Sequence, residues 1–242
     1  MRHRHGAGKS SKPDVRYSFD LLAANTARLL DTLGVREAAV VGHSTGGMLA
    51  VRFARTFPDR VTRLVLEDPI GLEDYRERIP PQTDETLFRT ELANTDPAAI
   101  RAFFARYFAH PHPEISDPLA DVYVRVTRSG EYPRWAKASA LAYQMIYQQP
   151  VRSEYRLLRP PTLLVVGADD HTVPLGNYAS PATRAAMGHF PELARAAARE
   201  IPRGAVVVIP GAAHIPHLER PDIFLPTLLG FFGTTPEPAA HR

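Results

Sequence analysis

Residues 42–46 read Gly-His-Ser-Thr-Gly, and this short run constrains the fold more than any other part of the 242-residue chain. The apolar segment 38–41 precedes the run, and an apolar-periodic segment, 47–57, follows it. A G-x-S-x-G run between a strand and a helix is typical of a sharp turn that exposes its serine. The flanking glycines are needed because a Cβ at either position would collide with the strand or the helix. The pattern therefore predicts that Ser44 is a nucleophile and not merely the N-cap of the helix.

Acidic side chains and a histidine follow Ser44 in the chain, each directly after a predicted strand. The apolar run 162–166 predicts a buried strand and is followed by Asp169 and Asp170. A second apolar run, 205–209, is followed by His214. Residues that follow the strands of a parallel sheet lie at its carboxyl edge, where the sites of open α/β folds are found. We therefore expect a serine, an aspartate and a histidine to meet at that edge.

The chain resembles the α/β-hydrolase family, in its branch of serine hydrolases with a helical cap. The resemblance rests on residues 6–13, 42–46 and 63–69, on the turn around Asp170 and on residues 211–221. It implies an α/β fold with a doubly wound, mainly parallel sheet. The implied core comprises residues 14–70 and 159–233, the inserted helical cap residues 71–158, and the loop and tail residues 1–13 and 234–242.

The resemblance also implies a mechanism. Ser44 Oγ would attack an acyl carbon, His214 would take its proton, and an aspartate would orient the imidazole. The backbone amide of Thr45, directly after the nucleophile, would donate a hydrogen bond to the oxyanion. The family pattern favours Asp170, three residues after a glycine, over its neighbour Asp169. It favours His214 over His217 in the same way, because the histidine of the family closely follows the glycine at the strand end.

The segment 71–158 contains most of the aromatic residues of the chain and no clear strand pattern. We expect it to be mostly helical, with the majority of its aromatic side chains packed in its own core. A minority is expected to face the site and form an apolar substrate pocket. Trp135, Tyr143 and Tyr147 are the candidates for this pocket, together with His43 beside the nucleophile.

The resemblance further implies strands that precede the first matched segment, 6–13. Family members carry a His-Gly-type loop there that supplies the second oxyanion donor, and no such segment occurs before Ser44 in this sequence. We therefore expect an N-terminally truncated chain, through a misassigned start, gene decay or strands supplied by a partner chain. Loss of one oxyanion donor is expected to reduce turnover by about 10²–10³. The strand at 38–41, apolar on both faces as an interior strand is, would then lie at an exposed edge.

Composition and charge exclude several other classes of function. The net charge is only +3 and the basic residues are scattered, which argues against binding of nucleic acid or a membrane. No apolar stretch approaches the ~20 residues of a membrane span, and the start of the chain lacks the apolar core of a signal peptide. We expect a soluble, cytoplasmic protein.

The residue types needed for a cofactor are also missing from the sequence. The chain contains no cysteine, and its closest histidine pairs, His3 with His5 and His110 with His112, lack the spacing of a metal site. No phosphate-binding or dinucleotide-binding fingerprint occurs. We expect neither a metal nor a cofactor, and a small molecule as substrate.

These observations predict a hydrolase that acts on a small to medium apolar ester or related acyl compound. Hydrolysis of a carbon–carbon bond is the alternative among enzymatic functions. A non-catalytic or severely impaired remnant, which retains the three residues without a complete oxyanion site, is the alternative from another class.

Overall fold

The computed structural model of the protein describes residues 10–233; part of the loop predicted over residues 1–13 and the tail predicted over residues 234–242 lie outside these residues. Its strands form one sheet in the order β1-β2-β3-β4, with every neighbouring pair parallel. The strands are β1 (Ala38–His43), β2 (Val61–Glu67), β3 (Thr162–Gly167) and β4 (Gly204–Ile209). The sheet confirms the parallel α/β fold expected from the sequence, and it brings all four carboxyl ends to one edge.

Helices connect and cover these strands. They are α1 (Phe19–Thr32), α2 (Thr45–Thr56), α3 (Asp84–Ala93), α4 (Pro97–Ala105), α5 (Pro113–Thr127), α6 (Tyr132–Gln148), α7 (Pro181–Ala185), α8 (Phe190–Glu200), α9 (Pro216–Glu219) and α10 (Pro221–Gly233). The four helices α3–α6 lie between β2 and β3, in the segment expected to be mostly helical; its division from the core as a cap stays a prediction. Within residues 10–233, no helix has the combined length and apolar character needed to cross a membrane.

The first helix shows how local sequence sets the ends of an element. Ser18 adopts an extended backbone, and its hydroxyl accepts a hydrogen bond from the amide of Leu21 at 3.0 Å, as an N-cap residue does. Gly34 follows the end of α1 with a φ of +67°, a conformation that costs glycine little. The residue types at positions 18 and 34 therefore account for where α1 begins and ends.

Alternating side chains of the strands pack on the two faces of the sheet. Leu64 and Leu164 belong to a large buried cluster that also contains residues of α1, α2 and α8. Val65 and Leu163, each adjacent in sequence to one of these leucines, belong to a second cluster with Phe224 of α10. Each such side chain contributes about 1.5–3 kcal/mol on burial. Helices therefore cover both faces, which fixes the orientation of β2 and β3 at the centre of the sheet.

The first strand has the apolar sequence of an interior strand but lies at the edge of the described sheet. Among the described residues β1 pairs with β2 alone, and it lies at the edge of the sheet. Val40 packs on the large cluster, whereas Val41 is 48% exposed. The reason is that the helix covering the second face, α10, packs with residues of β2–β4 and leaves this part of β1 open.

A buried ion pair anchors α2, the helix that follows the nucleophile turn. The guanidinium of Arg52 donates to both carboxylate oxygens of Glu154, with an Nη2–Oε1 distance of 2.6 Å, and also to Asp20 of α1. Arg52 and Glu154 are both buried. Breaking such a pair leaves an uncompensated charge, so this contact fixes α2 against α1 and the segment before β3.

The turn from β1 into α2 leaves no room for a side chain at Gly42. A Cβ at this position would lie 2.5 Å from the carbonyl oxygen of Gly46 and 2.7 Å from the Cβ of Ala50. Backbone cannot move away as the end of a flexible side chain can. The collision predicted from the sequence is thus confirmed for Gly42.

We predict that Gly42→Ala lowers the free energy of unfolding by about 1–3 kcal/mol, because the added methyl group overpacks the turn. The matched control is Gly130→Ala, since a Cβ at Gly130 meets no atom within 4 Å. The control is expected to change stability by less than about 0.5 kcal/mol. Urea unfolding of the two variants measures the difference, and equal midpoints would contradict the steric argument.

Candidate active site

Ser44 lies at the tip of the turn in a strained backbone conformation. Its φ of 53° and ψ of −123° are rare for a residue with a side chain. The surrounding backbone holds it there: its amide donates to the carbonyl of Glu67 at 3.1 Å, and its own carbonyl accepts from Gly47 at 2.8 Å and Ile70 at 3.3 Å. This conformation carries the hydroxyl above the end of β1, beyond the sheet edge.

A chain of hydrogen bonds joins Ser44 to a histidine and a carboxylate. Ser44 Oγ lies 2.9 Å from His214 Nε2, and His214 Nδ1 lies 2.8 Å from Asp170 Oδ2. A carboxylate only accepts, so Nδ1 carries the proton and Nε2 is left to accept from the serine hydroxyl. His214 and Asp170 are 2% and 1% exposed. This is the arrangement in which a neutral imidazole can remove a proton from an alcohol.

Asp170 is held in its ionised form. Burial alone would raise its pKa, but hydrogen bonds from His214 and from the amide of Thr172, the latter at 2.8 Å, outweigh this and lower the pKa. The neighbouring Asp169 is exposed and borders a cavity that opens in front of Ser44. Its amide donates to the carbonyl of Ala212. Of the two acids that the sequence left as candidates, the structure therefore brings Asp170 to the imidazole.

Several contacts fix the position of the loop that carries His214. The carboxylate of Glu219 accepts from the amides of Ala213 and Ala109 at 2.6 and 2.7 Å. The loop also crosses directly over the end of β3, where a Cβ at Gly167 would overlap the carbonyl oxygens of Ala212 and Ala213. Gly167 thus allows the loop from β4 to reach back toward β1.

His217, the second histidine candidate, belongs to a different pair. Its Nδ1 lies 2.7 Å from Glu67 Oε1, and its amide donates to the same oxygen at 3.1 Å. Glu67 is 3% exposed and is the last residue of β2, at the sheet edge. His217 therefore pairs with Glu67 and holds the loop to the end of β2.

His43 supports the backbone of His214. Its Nε2 lies 2.7 Å from the carbonyl oxygen of His214, so this nitrogen must carry a proton and donate. Burial lowers the pKa of His43, and the nearby His214 acts in the same direction. The ring is therefore neutral near pH 7. The sequence placed His43 in the substrate pocket; in the structure His43 does not border the cavity in front of Ser44, and its ring is hydrogen-bonded to the backbone of His214.

A cavity of about 1270 Å³ opens in front of Ser44. Its walls come from the helices between β2 and β3 and from the loop after Asp170, and they include Ile70, Leu87, Tyr107, Tyr143, Ile146 and Val173. Ser44 and Thr45 both border it. Its volume exceeds that of a typical small-molecule site, about 300–1,000 Å³, so a medium-sized organic molecule can enter.

Only one of the three aromatic pocket candidates borders this cavity. Tyr143 does so, with Ser139, one turn before it, and Ile146 on the same face of α6. Trp135 lies two turns before Tyr143 and packs against Tyr123, with ring centroids 4.8 Å apart. Tyr147 is buried and its hydroxyl donates to the carbonyl of Ile79 at 2.9 Å. Trp135 and Tyr147 therefore do not border this cavity, because partners outside it hold them, and their part in a substrate pocket stays a prediction.

Tyr107 contacts the site and was not singled out in the sequence. Its carbonyl accepts from the amide of His214 at 3.0 Å, and the two rings lie 5.0 Å apart. Burial raises the pKa of Tyr107 to about 12, so the phenol is neutral. Its position within an aromatic-rich segment gave no signal for this contact, which depends on how that segment folds over the sheet edge.

The amide of Thr45 is available to a ligand. Thr45 is the first residue of α2, and within residues 10–233 no group accepts a hydrogen bond from its amide. The N-terminus of a helix favours negative charge because its amides point outward and the helix dipole is positive there. The position is suitable for an oxyanion that forms beside Ser44.

Asp68, Asp170 and His214 are close enough to be considered as metal ligands. One possible ligand atom from each lies within 4.8 Å of the others. However, the 2.8 Å between His214 Nδ1 and Asp170 Oδ2 is a hydrogen-bond distance, shorter than the roughly 3.3 Å between two ligands of a tetrahedral zinc ion. The three groups form a hydrogen-bonded cluster rather than a metal site, and the expected absence of a cofactor stays a prediction.

The chain is similar to known proteins whose names describe hydrolases. The solved structure of a probable hydrolytic enzyme from Pseudomonas aeruginosa superimposes with a TM-score of 0.91 at 39% identity, covering 96% of this chain and 75% of that one. The RutD protein of Azorhizobium caulinodans, whose name describes a carbamate hydrolase, is 27% identical over 94% of this chain and 78% of its own length. The 2-hydroxy-6-oxo-2,4-heptadienoate hydrolase of Pseudomonas putida is 28% identical over 70% of this chain and 60% of its own.

The match to a family extends over most of the sequence. The sequence model of the alpha/beta hydrolase fold matches residues 3–221, which include every element from α1 to α9. The parallel sheet and the helices on its two faces agree with that fold. The chain therefore belongs to the α/β-hydrolase fold family and is an enzyme of that family.

Proposed function

We propose that this enzyme is a serine hydrolase that cleaves a small to medium ester, or a related acyl compound, of apolar character. The observation that carries the proposal is the continuous hydrogen-bonded chain from Ser44 Oγ through His214 to Asp170, with Ser44 bordering the cavity. A hydroxyl, a neutral imidazole and a buried carboxylate in this order are the groups needed to activate a serine.

The proposed reaction passes through an acyl-enzyme. Ser44 Oγ attacks the carbonyl carbon while His214 Nε2 takes the hydroxyl proton, and the amide of Thr45 donates to the oxyanion. His214 returns the proton to the leaving alcohol, and a water molecule activated by the same nitrogen then releases the acid. Asp170 stabilises the imidazolium in both steps, since its lowered pKa keeps it charged.

The walls of the cavity support an apolar substrate. Ile70, Leu87 and Ile146 contribute aliphatic surface, and Tyr143 contributes a ring whose pKa burial raises, so that it stays neutral. Such walls favour the acyl or alcohol part of an ester through burial of apolar area, about 25 cal/mol for each Å². Ser44 and Thr45 would provide the polar contacts to the reacting group of the substrate.

Turnover of p-nitrophenyl acetate and butyrate tests the proposal. We predict that Ser44→Ala reduces kcat by at least about 10³-fold, because removal of the nucleophile from a serine triad abolishes nearly all of its chemistry. Far-ultraviolet circular dichroism of both proteins serves as the control for folding. If folded wild-type protein releases no more p-nitrophenol than Ser44→Ala, the enzymatic proposal fails and a non-catalytic remnant takes its place.

Hydrolysis of a carbon–carbon bond is the second candidate. The similarity to the 2-hydroxy-6-oxo-2,4-heptadienoate hydrolase of Pseudomonas putida favours it. The two candidates differ in the leaving group, which is an alcohol in one case and a carbon acid in the other. Comparing kcat/KM for p-nitrophenyl butyrate with that for a 2-hydroxy-6-oxo-dienoate decides between them.

We also predict that His43→Ala lowers kcat by about 3–10-fold with little change in KM. The variant removes the hydrogen bond to the His214 carbonyl, which contributes about 0.5–1.5 kcal/mol and fixes the imidazole. His43→Gln, which retains an N–H donor, is expected to recover part of the loss. His112→Ala is the matched control, because His112 contacts Glu114 at the start of α5. Equal kcat values for His43→Ala and wild type would show that His43 does not position His214.

A further inference from the structure

Asp68 is a buried acid that takes no part in the proposed reaction. It directly follows β2, is 0% exposed and has a φ of +34°, a conformation that few residues with a side chain adopt. Its amide donates to the carbonyl of Val165 at 2.9 Å, and its Oδ1 accepts from the amide of Gly167 at 3.0 Å. Two bonds to β3 thus fix this carboxyl group beside the end of that strand.

The second oxygen of this carboxyl group lacks a donor. Within the described part of the chain, Asp68 Oδ2 is buried and no N–H or O–H group points to it. A buried oxygen of an ionised carboxylate without a donor is costly, by about 1–3 kcal/mol or more. The carboxyl group of Asp68 is therefore either ionised, at this cost in free energy, or protonated.

Other acids surround Asp68. Asp170 is the closest, with oxygens of the two carboxyl groups and a nitrogen of His214 within 4.8 Å of one another. Glu67 precedes it in β2 and is engaged by His217. No lysine or arginine among residues 10–233 forms an ion pair with Asp68, so the imidazole of His214 is the one basic group of the cluster. Two neighbouring buried carboxyl groups of this kind cannot both be charged.

The hydrogen bonds decide which of the two carries the charge. Asp170 accepts from His214 through Oδ2 and from Thr172 through Oδ1, and these donors stabilise its ionised form. Asp68 accepts from one amide alone. Burial, together with the charge of Asp170, raises the pKa of Asp68 well above its usual value, whereas the pKa of Asp170 is lowered. The proton of the pair belongs on Asp68.

We propose that Asp68 is a neutral carboxylic acid at pH 7 and donates a hydrogen bond from Oδ2 to the carboxylate of Asp170. Asp68 then acts as a positioning residue, since it does not border the cavity in front of Ser44 and works through Asp170. A third donor holds the Asp170 carboxylate in the plane in which it meets His214 Nδ1. This role in turnover rests on the proposed function, whereas the protonation of Asp68 does not.

The pH dependence of stability tests the protonation without any assay of activity. A carboxyl whose pKa is raised on folding binds its proton more tightly in the folded state, so stability is lost as pH rises from the unfolded value, about 3.9, toward the folded one. Asp68→Asn removes this titration and leaves an amide that donates to Asp170 at every pH. The unfolding constant of wild type relative to Asp68→Asn is expected to rise about tenfold for each pH unit between pH 5 and 7. A ratio that stays constant over this range would overturn the proposal.

A second measurement uses the wild-type protein, in case the variant fails to fold. Aspartate-selective ¹³C labelling reports the charge of each aspartate carboxyl by NMR, and it leaves out Glu91, whose pKa is also raised by burial. One aspartate signal is expected to keep the shift of a protonated carboxyl at pH 7. If every aspartate signal has the shift of a carboxylate at that pH, the proposal is wrong.

The kcat values of two Asp68 variants distinguish the effect of the hydrogen-bond donor from the effect of side-chain volume. Asp68→Asn is expected to keep kcat within about threefold of wild type, and Asp68→Ala to lower it by at least about tenfold, the equivalent of one lost hydrogen bond to a charged group. Equal losses in the two variants would show that the donor has no role. If wild type itself shows no Ser44-dependent turnover, the proposed function fails, and the stability and NMR measurements still test the protonation of Asp68.

Discussion

The hydrogen bond between Ser44 and His214 is the interaction on which the rest of the structure depends. Its two residues are separated by 170 positions in the sequence and follow the two outermost strands of the described sheet. Neighbouring strands lie about 4.8 Å apart, so β1 and β4 are about 14 Å apart, and the loop after β4 must travel back across the sheet edge. It can do so because Gly167 leaves space above β3, and because Glu219, Tyr107 and His43 hold the loop where it arrives.

The site also shows how a fold can bury acids beside its reacting groups. Glu67, Asp68 and Asp170 all lie at the carboxyl ends of strands and are all less than 4% exposed. The free-energy cost of burial is offset differently for each acid. Glu67 accepts a hydrogen bond from His217, and Asp170 accepts hydrogen bonds from His214 and Thr172. Asp68 is proposed to keep its proton. Three acids with three environments can therefore lie together without three buried charges. Only Asp170 has the donors that make it a partner for an imidazolium.

Much of this could be predicted from the sequence, and the remainder could not for physical reasons. The G-x-S-x-G run and the acids and histidine after apolar runs identify Ser44, Asp170 and His214 because each depends on a local pattern and on the common edge of parallel strands. The choice between Asp169 and Asp170 depends on which side chain turns inward, a matter of a few backbone angles. Trp135 and Tyr147 share a helix with Tyr143, but their partners belong to other elements that helical spacing does not reveal. Asp68 follows a strand as Asp170 does, and the same reasoning applied to β2 would have found it.

The central claim is that Ser44 is a nucleophile activated by His214. An organic fluorophosphonate tests it most directly, because the reagent forms a stable adduct with an activated serine and needs no knowledge of the substrate. Peptide mapping by mass spectrometry is predicted to find one adduct for each chain, on Ser44, with labelling abolished by Ser44→Ala and strongly slowed by His214→Ala. Absence of an adduct on folded wild-type protein, or labelling of Ser44 at the same rate without the imidazole of His214, would contradict the account.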